Sequence, residues 1–149
     1  MNKRVCTLIL FLASASLFGQ NCTNLNSPAA IADSCQNAPL FCGNFLENYC
    51  GTNAGLTNDA FGLSSGFLRF APCETDIKLQ LSVSNCAAGD TGLVFRLYTE
   101  TCIANPVLAS LTVYNNTTDT LEVSNLQVLN NYLLAVSGVL GSECEFNIQ

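Results

Sequence analysis

Histidine and tryptophan are absent from this 149-residue chain, methionine occurs once, and charged residues make up only 11%. Each shortage closes off some chemistry. Without an imidazole the chain lacks the commonest general base and any Ser-His or Cys-His nucleophile. Without tryptophan, an aromatic binding platform falls to tyrosine or phenylalanine. Cys-x-x-Cys does not occur either, so a zinc site would need four thiolates at unusual spacings. Lysine and arginine total five against eleven acids, for a net charge of −6. Beyond Lys3 and Arg4 the cations are Arg69, Lys78 and Arg96, widely spaced. An acidic chain with no basic stripe repels phosphate backbones, which argues against nucleic acid as a partner. With so few charges the polar surface has to be built mainly from Asn, Ser, Thr and Gln. That suits an extracellular surface better than a cytosolic enzyme.

What the chain does have is cysteine, nine in all. Lys3 and Arg4, the uncharged apolar run from Val5 to Phe18, and the small-x-small triplet Ala13-Ser14-Ala15 read in order as an export signal over residues 1–20, with a cut nearer Gly19 or Gln20 as the competing choice. The run is short for a bilayer, which needs about 20 apolar residues. No later stretch qualifies, so no transmembrane span is expected. A lipid anchor on Cys22 is the alternative, for which Gln20-Asn21 is a poor lead-in. Cleavage removes Cys6 and two of the five cations but none of the eleven acids, which moves the net charge from −6 to −8. The remaining cysteines are Cys22, Cys35, Cys42, Cys50, Cys73, Cys86, Cys102 and Cys144. An even set behind a secretory signal reads as a disulfide framework. Two local pairs are expected, Cys42–Cys50 across a short loop and Cys86–Cys102 between the ends of successive strands, with the other four sharing the rest.

From about Gly62 the sequence alternates between turns. Ile77, Leu79, Leu81 and Val83 share one face, with Lys78, Gln80, Ser82 and Ser84 on the other, as in a half-buried strand. Leu93-Phe95-Leu97, Leu121 and Val123, Tyr132-Leu134-Val136 and Cys144-Phe146-Ile148 repeat the pattern. Phe67–Phe70 and Val107–Tyr114 are strands of less regular patterning. Asn85–Gly92, Asn105-Pro106, Asn115-Asn116, Asn130-Asn131 and Gly138–Gly141 supply turn chemistry between them. Short strands at regular spacing predict an all-β fold, an antiparallel two-sheet β-sandwich stapled by disulfides. Residues 21–149 form one domain, in which 21–58 is a loop-rich, cysteine-rich entry region with a strand near Leu40-Phe41.

The order Ala32-Asp33-Ser34-Cys35-Gln36-Asn37-Ala38-Pro39-Leu40-Phe41-Cys42-Gly43, Tyr49-Cys50-Gly51-Thr52, Phe67-Leu68-Arg69-Phe70, Leu81-Ser82-Val83-Ser84-Asn85-Cys86, Gly92-Leu93, Leu97-Tyr98, Cys102, Tyr132–Gly138 and Cys144–Ile148 carries a resemblance. It resembles cysteine-containing sandwich modules of secreted and cell-surface Bacteroidota proteins, relatives of the pre-peptidase C-terminal (PPC) sandwich, over about Asp33 to Ile148. The resemblance implies a jelly-roll-like accessory or adhesive module. Where such modules usually open the third strand with tryptophan, Phe67 stands here, which weakens an exposed aromatic platform. Larger members carry further modules and a sorting domain, so the chain is expected to be a stand-alone small version or one segment of a longer adhesin.

Candidate sites are few. Glu74 with Asp76, and Glu143 with Glu145, place two carboxylates on one face of a strand, the minimum for a histidine-free hydrolase. No cofactor is expected. Calcium is the alternative, since Asp90 and Asn85 with loop carbonyls, and Asp59 with Asn58, offer hard oxygen ligands without EF-hand spacing. Tyr49, Tyr98 and Tyr114 are candidates for stacking on sugar, while Tyr132 faces inward. Asn21-Cys22-Thr23, Asn115-Asn116-Thr117 and Asn116-Thr117-Thr118 are N-glycosylation sequons, and Asp119-Thr120-Leu121 resembles a Bacteroidota O-glycosylation acceptor. The expected product is a secreted, non-catalytic binding or adhesion module that recognises an extracellular polysaccharide or surface protein through the loops Asn53–Ala60 and Ala87–Gly92. A structural subunit that self-assembles by pairing sheet edges and a carboxylate hydrolase are the other two readings.

Overall fold

Ten strands form among the described residues: β1 (Ala29–Ala30), β2 (Leu40–Cys42), β3 (Tyr49–Thr52), β4 (Gly66–Ala71), β5 (Ile77–Ser84), β6 (Gly92–Thr99), β7 (Ala109–Tyr114), β8 (Thr117–Val123), β9 (Tyr132–Gly138) and β10 (Glu145–Ile148). They come from a computed structural model that describes residues 29–42, 49–56, 65–99 and 106–149. The expected signal at 1–20, Cys22, Cys102, Asn58 and Asp59 lie outside the described residues, as does the side chain of Cys42. No α-helix occurs among the described residues.

The strands make two five-stranded sheets, β1-β3-β10-β5-β8 and β2-β4-β9-β6-β7. Four strands of each are antiparallel, and the short β1 and β2 add parallel edges beside β3 and β4. The alternation read from the sequence is what drives this. Leu79, Leu81 and Val83 of β5, Phe146 and Ile148 of β10, and Leu121 and Val123 of β8 turn to the other sheet. They meet Leu93, Phe95 and Leu97 of β6 and Leu134 and Val136 of β9 in one buried core. Each fully buried Leu or Phe is worth about 1.5–3 kcal/mol relative to exposure. Phe95 and Phe146 meet edge to face across the sheets, ring centroids 5.7 Å apart. On the outer face of the first sheet Lys78 lies opposite Glu122, and their charged ends are 2.6 Å apart. Both side chains are largely exposed, so the pair contributes about 0–1 kcal/mol.

The second sheet is buried on both faces. Every residue of β9 is buried. Leu133 and Ala135, which point away from the main core, join Phe67 and Tyr98 in a second cluster closed by Cys35 and Ala38. The cover is the stretch from Ala32 to Leu40, with a 3₁₀ turn at Cys35–Asn37. It is docked by a bridge between Ala32 and Phe67 and by Arg69, whose guanidinium donates to the carbonyls of Cys35 (3.1 Å) and Gln36 (2.9 Å). The expected entry loops are in this part a lid on a sheet. Phe67 is wholly buried beneath that lid, and Tyr98 is buried beside it. Tyr98 as a sugar-stacking candidate is therefore corrected.

Strand β3 was hidden from sequence reading because Tyr49-Cys50-Gly51-Thr52 does not alternate. Gly51 is paired with Phe146, and a Cβ there would lie 2.6 Å from the Phe146 ring. The glycine makes room for the ring that fills this part of the core.

The expected bond Cys86–Cys102 does not form. Cys86 bonds to Cys144. Pairing of β5 with β10 sets Ser84 opposite Glu145, so the residues just beyond, Cys86 and Cys144, come together. The chain instead crosses to the other sheet after Cys86, and β6 then runs eight residues, about 25 Å, away from it. Cys35 and Cys50 each also belong to a disulfide, with partners other than one another. Cys73 is exposed in the β4–β5 turn. The double variant Cys86→Ser/Cys144→Ser should lose about 2–4 kcal/mol of unfolding free energy, because the bond closes a long loop in the unfolded chain. Urea unfolding under non-reducing conditions measures it.

Candidate functional site

The two loops singled out from the sequence do converge, at the end of the sandwich that carries Cys86–Cys144. Their described parts, 53–56 and 87–92, both bond to the segment Ser142–Cys144. Asn53 is wholly buried. Its side-chain amide donates to the Ser142 carbonyl at 2.8 Å, and its side-chain oxygen accepts from the Cys144 amide at 2.8 Å. Thr52 Oγ1 donates to the Cys144 carbonyl, and the Gly55 amide donates to Glu143 Oε1. From the other loop, Asp90 Oδ2 accepts from the Glu143 amide at 2.6 Å, Ala87 donates to the Glu143 carbonyl, and Thr91 donates to Ser142 Oγ. Buried polar groups of this kind are satisfied partners in a joint. Asn53 as a ligand-contacting loop residue is corrected on that ground.

The same geometry engages the oxygen ligands considered for calcium. Asn85, at φ 50°, sends its amide to Glu145 Oε2 at 2.6 Å, while Asp90 faces Glu143. Among the described residues no three or more His, Cys, Asp or Glu side chains are grouped to hold a metal ion. Of the carboxylate pairs, Glu143 and Glu145 hold separate partners. Asp76 accepts from the Asn125 amide and from the Thr75 hydroxyl. The Asn125 amide, then the Ser124 and Thr75 hydroxyls, hold the Asp76 carboxyl below its ordinary range, which is the wrong direction for a general acid. Tyr49 is half-buried against Phe146, ring centroids 6.1 Å apart, and burial pushes its hydroxyl up to about 12. Tyr114 is exposed at the end of β7. Thr120 of the O-glycosylation pattern and Asn116 of the sequons are exposed on β8 and its preceding turn.

The opposite pole carries a cleft of about 610 Å³ between the 124–131 loop and the segment leading into β7. Its loop is firmly built. The Asn125 amide is held by Asp76, Leu126 is buried and its amide donates to the Thr75 carbonyl, and the Leu129 amide donates to the Pro72 carbonyl at 2.9 Å. The Gln127 amide donates to the Tyr132 hydroxyl at 2.8 Å, and the Asn130 side chain donates to Gln127 Oε1. Across from it the Leu108 amide donates to the Leu97 carbonyl. Among the described residues the exposed aliphatic walls are Leu108 (43%) and Leu129 (69%), the polar lining is Thr99, Ser124, Asn125, Gln127, Asn130 and Asn131, and none of the described lining residues is charged. Sequence reading passed over this site because Asn130-Asn131 marks a turn. The signal it offers is Val128-Leu129, two aliphatic residues inside a stretch of turn formers with no strand to bury them.

No family model and no curated protein matches the chain. Among solved structures it is similar to the pre-peptidase C-terminal domain of a collagenase from Bacillus anthracis, with 16% identity and a TM-score of 0.46, over 85% of this chain and 98% of that one. Among the described residues no helix is long and apolar enough to cross a membrane.

Asn53→Ala removes two buried bonds and strands the Cys144 amide and the Ser142 carbonyl, so it should destabilise the fold by about 2–4 kcal/mol in urea unfolding. Tyr49 also sets an alkaline limit. Its folded value of about 12 stands above the unfolded value of about 10, so the unfolded chain releases its proton first. The stabilisation is complete below pH 10 and is lost as pH rises toward 12. Tyr49→Phe should flatten that limb of the stability profile, followed by urea midpoints across the range.

Proposed function

We propose that the chain is a secreted, non-catalytic binding or adhesion module that uses the cleft between Leu108 and Leu129, uncharged among its described residues, to recognise an exported or surface protein. The observation that carries this reading is the combination of fixed backbone and exposed aliphatic walls at one pole, since binding residues concentrate on loops held by a rigid sheet. The side-chain amides of Asn125, Gln127 and Asn130 suit the backbone donors and acceptors of an extended peptide segment, since the Asn130–Gln127 bond uses one donor and one acceptor site and leaves the other donors and acceptors of the pair. Between a protein and a polysaccharide the cleft favours the protein. The aromatic residue in its lining, Tyr132, is buried with its hydroxyl engaged, whereas sugar rings stack on exposed aromatic faces. The non-catalytic part rests on the missing histidine and on Asp76, Glu143 and Glu145 already serving as hydrogen-bond acceptors within the scaffold. Export rests on the Lys3–Gln20 segment and the cysteine set, and a Bacteroidota source rests on the sequence resemblance alone.

The test is titration of a library of uncharged, leucine-containing peptides and a panel of surface polysaccharides against the purified chain, followed by fluorescence or calorimetry. A peptide hit should weaken at least tenfold in Leu129→Asp, which places a desolvated charge in an apolar wall. Ligands that bind Leu129→Asp as well as the unaltered chain would show that the cleft is not the site.

A further inference from the structure

Leu140 is the most exposed large apolar side chain among the described residues, at 96%, and it sits in left-handed backbone with φ 52° and ψ 28°. Leucine is disfavoured there by its Cβ, where Asn or Gly is not, and it is disfavoured again by full contact with water. The turn that imposes this is rigid. The Ser142 amide and hydroxyl both donate to the Val139 carbonyl, at 3.0 and 2.6 Å, Thr91 holds Ser142 Oγ, and a Cβ on Gly138 would collide with the Ser142 backbone. Strain and exposure together at one bulky residue point to a contact made outside the chain.

We infer that Leu140 docks into the Leu108–Leu129 cleft of a second copy of this chain, so that copies associate head to tail. The inference rests on the cleft being a binding site and names its partner. The two parts are complementary and sit at opposite poles. Strand β9 starts at Tyr132 in the cleft lining and ends at Gly138 beside Leu140, about 20 Å away by strand rise, so no chain reaches its own cleft. The turn Gly138-Val139-Leu140-Gly141-Ser142 carries no charge, like the described lining of the cleft, and the cleft has aliphatic walls for a leucine and side-chain amides at Asn125, Gln127 and Asn130 for the turn's exposed backbone. Such a contact joins unlike surfaces and is open-ended. Edge pairing is the less suitable route at β8, where Asp119 stands on the core-facing side opposite Leu81 and guards the edge.

Sedimentation velocity on the purified chain is the test. The unaltered chain should show a concentration-dependent series of species. Association should strengthen with salt, because acids flank both parts, Asp90 and Glu143 at one pole and Glu74 and Asp76 at the other. Leu140→Asn and Leu129→Asp should each be monomeric, with association weakened at least tenfold. Asn tolerates the left-handed backbone, so Leu140→Asn should also raise Tm by about 3–5 °C, which separates lost docking from lost folding. Mixed, the two variants should form dimers and nothing larger, since one retains only the cleft and the other only Leu140. A monomeric unaltered chain, assembly that survives Leu140→Asn, or a mixture that stays monomeric would each overturn the inference. The cleft reading is judged separately, by whether Leu129→Asp loses peptide binding.

Discussion

The stretch Ser142-Glu143-Cys144 is the joint on which the rest of the structure hangs. It takes the Asn53 side chain through two bonds, the 87–91 loop through three, and Cys86 through sulfur. These partners come from strands of both sheets, so one short segment locks one end of the sandwich. A strand that slips its pairing register by one residue turns its apolar face to the wrong side. The joint opposes that slip at β10, the strand that sits between β3 and β5. It also explains why the turn just before it, Val139–Gly141, holds a leucine in left-handed backbone: Ser142 is already fixed, and the chain has only that route from β9 to it.

A second constraint acts on β9. A strand in the middle of a sheet with apolar residues on both faces needs two covers. The facing sheet supplies one and the Ala32–Leu40 stretch supplies the other. Arg69 belongs to this cover, Arg96 donates to Ser137 Oγ across the sheet, and Lys78 is paired with Glu122. All three cations beyond the N-terminus thus have protein partners. A chain with so few positive charges, each engaged in its own scaffold, has little means to select an anionic ligand by charge. On the proposed reading, recognition rests on shape, aliphatic contact and amide hydrogen bonds at the cleft between Leu108 and Leu129.

Much of the sandwich was legible because a two-residue period writes itself into the sequence wherever one face is wet and the other dry. β5 and β10 follow that rule residue by residue, β8 follows it from Leu121 to Val123, and Tyr132-Leu134-Val136 is the inward face of β9. The failures share a cause. Pairing Cys86 with Cys102 assumed that successive strands are neighbours, yet the chain changes sheets between β5 and β6, and the neighbour of β5 is a strand some sixty residues further on. Tyr98 looked outward by parity and is outward, but the outer face of that sheet is itself covered. Asn53 looked like a loop residue and is one, but its loop is packed inside a joint. Periodicity reports which face a side chain takes. It carries no information about what lies over that face.

The proposed binding surface is chosen by subtraction. Turn-forming residues at the disulfide pole look polar and available in the sequence, yet they are consumed by hydrogen bonds that a folded joint requires. Aliphatic residues in turns have no such use. Leu129 and Leu140 gain nothing from the fold that Asn would not supply at less strain, since both stand at positive φ with their side chains in water. In a protein whose other large aliphatic residues mostly lie in two packed layers, a leucine that the scaffold does not need is better evidence of recognition than any of its polar loop residues.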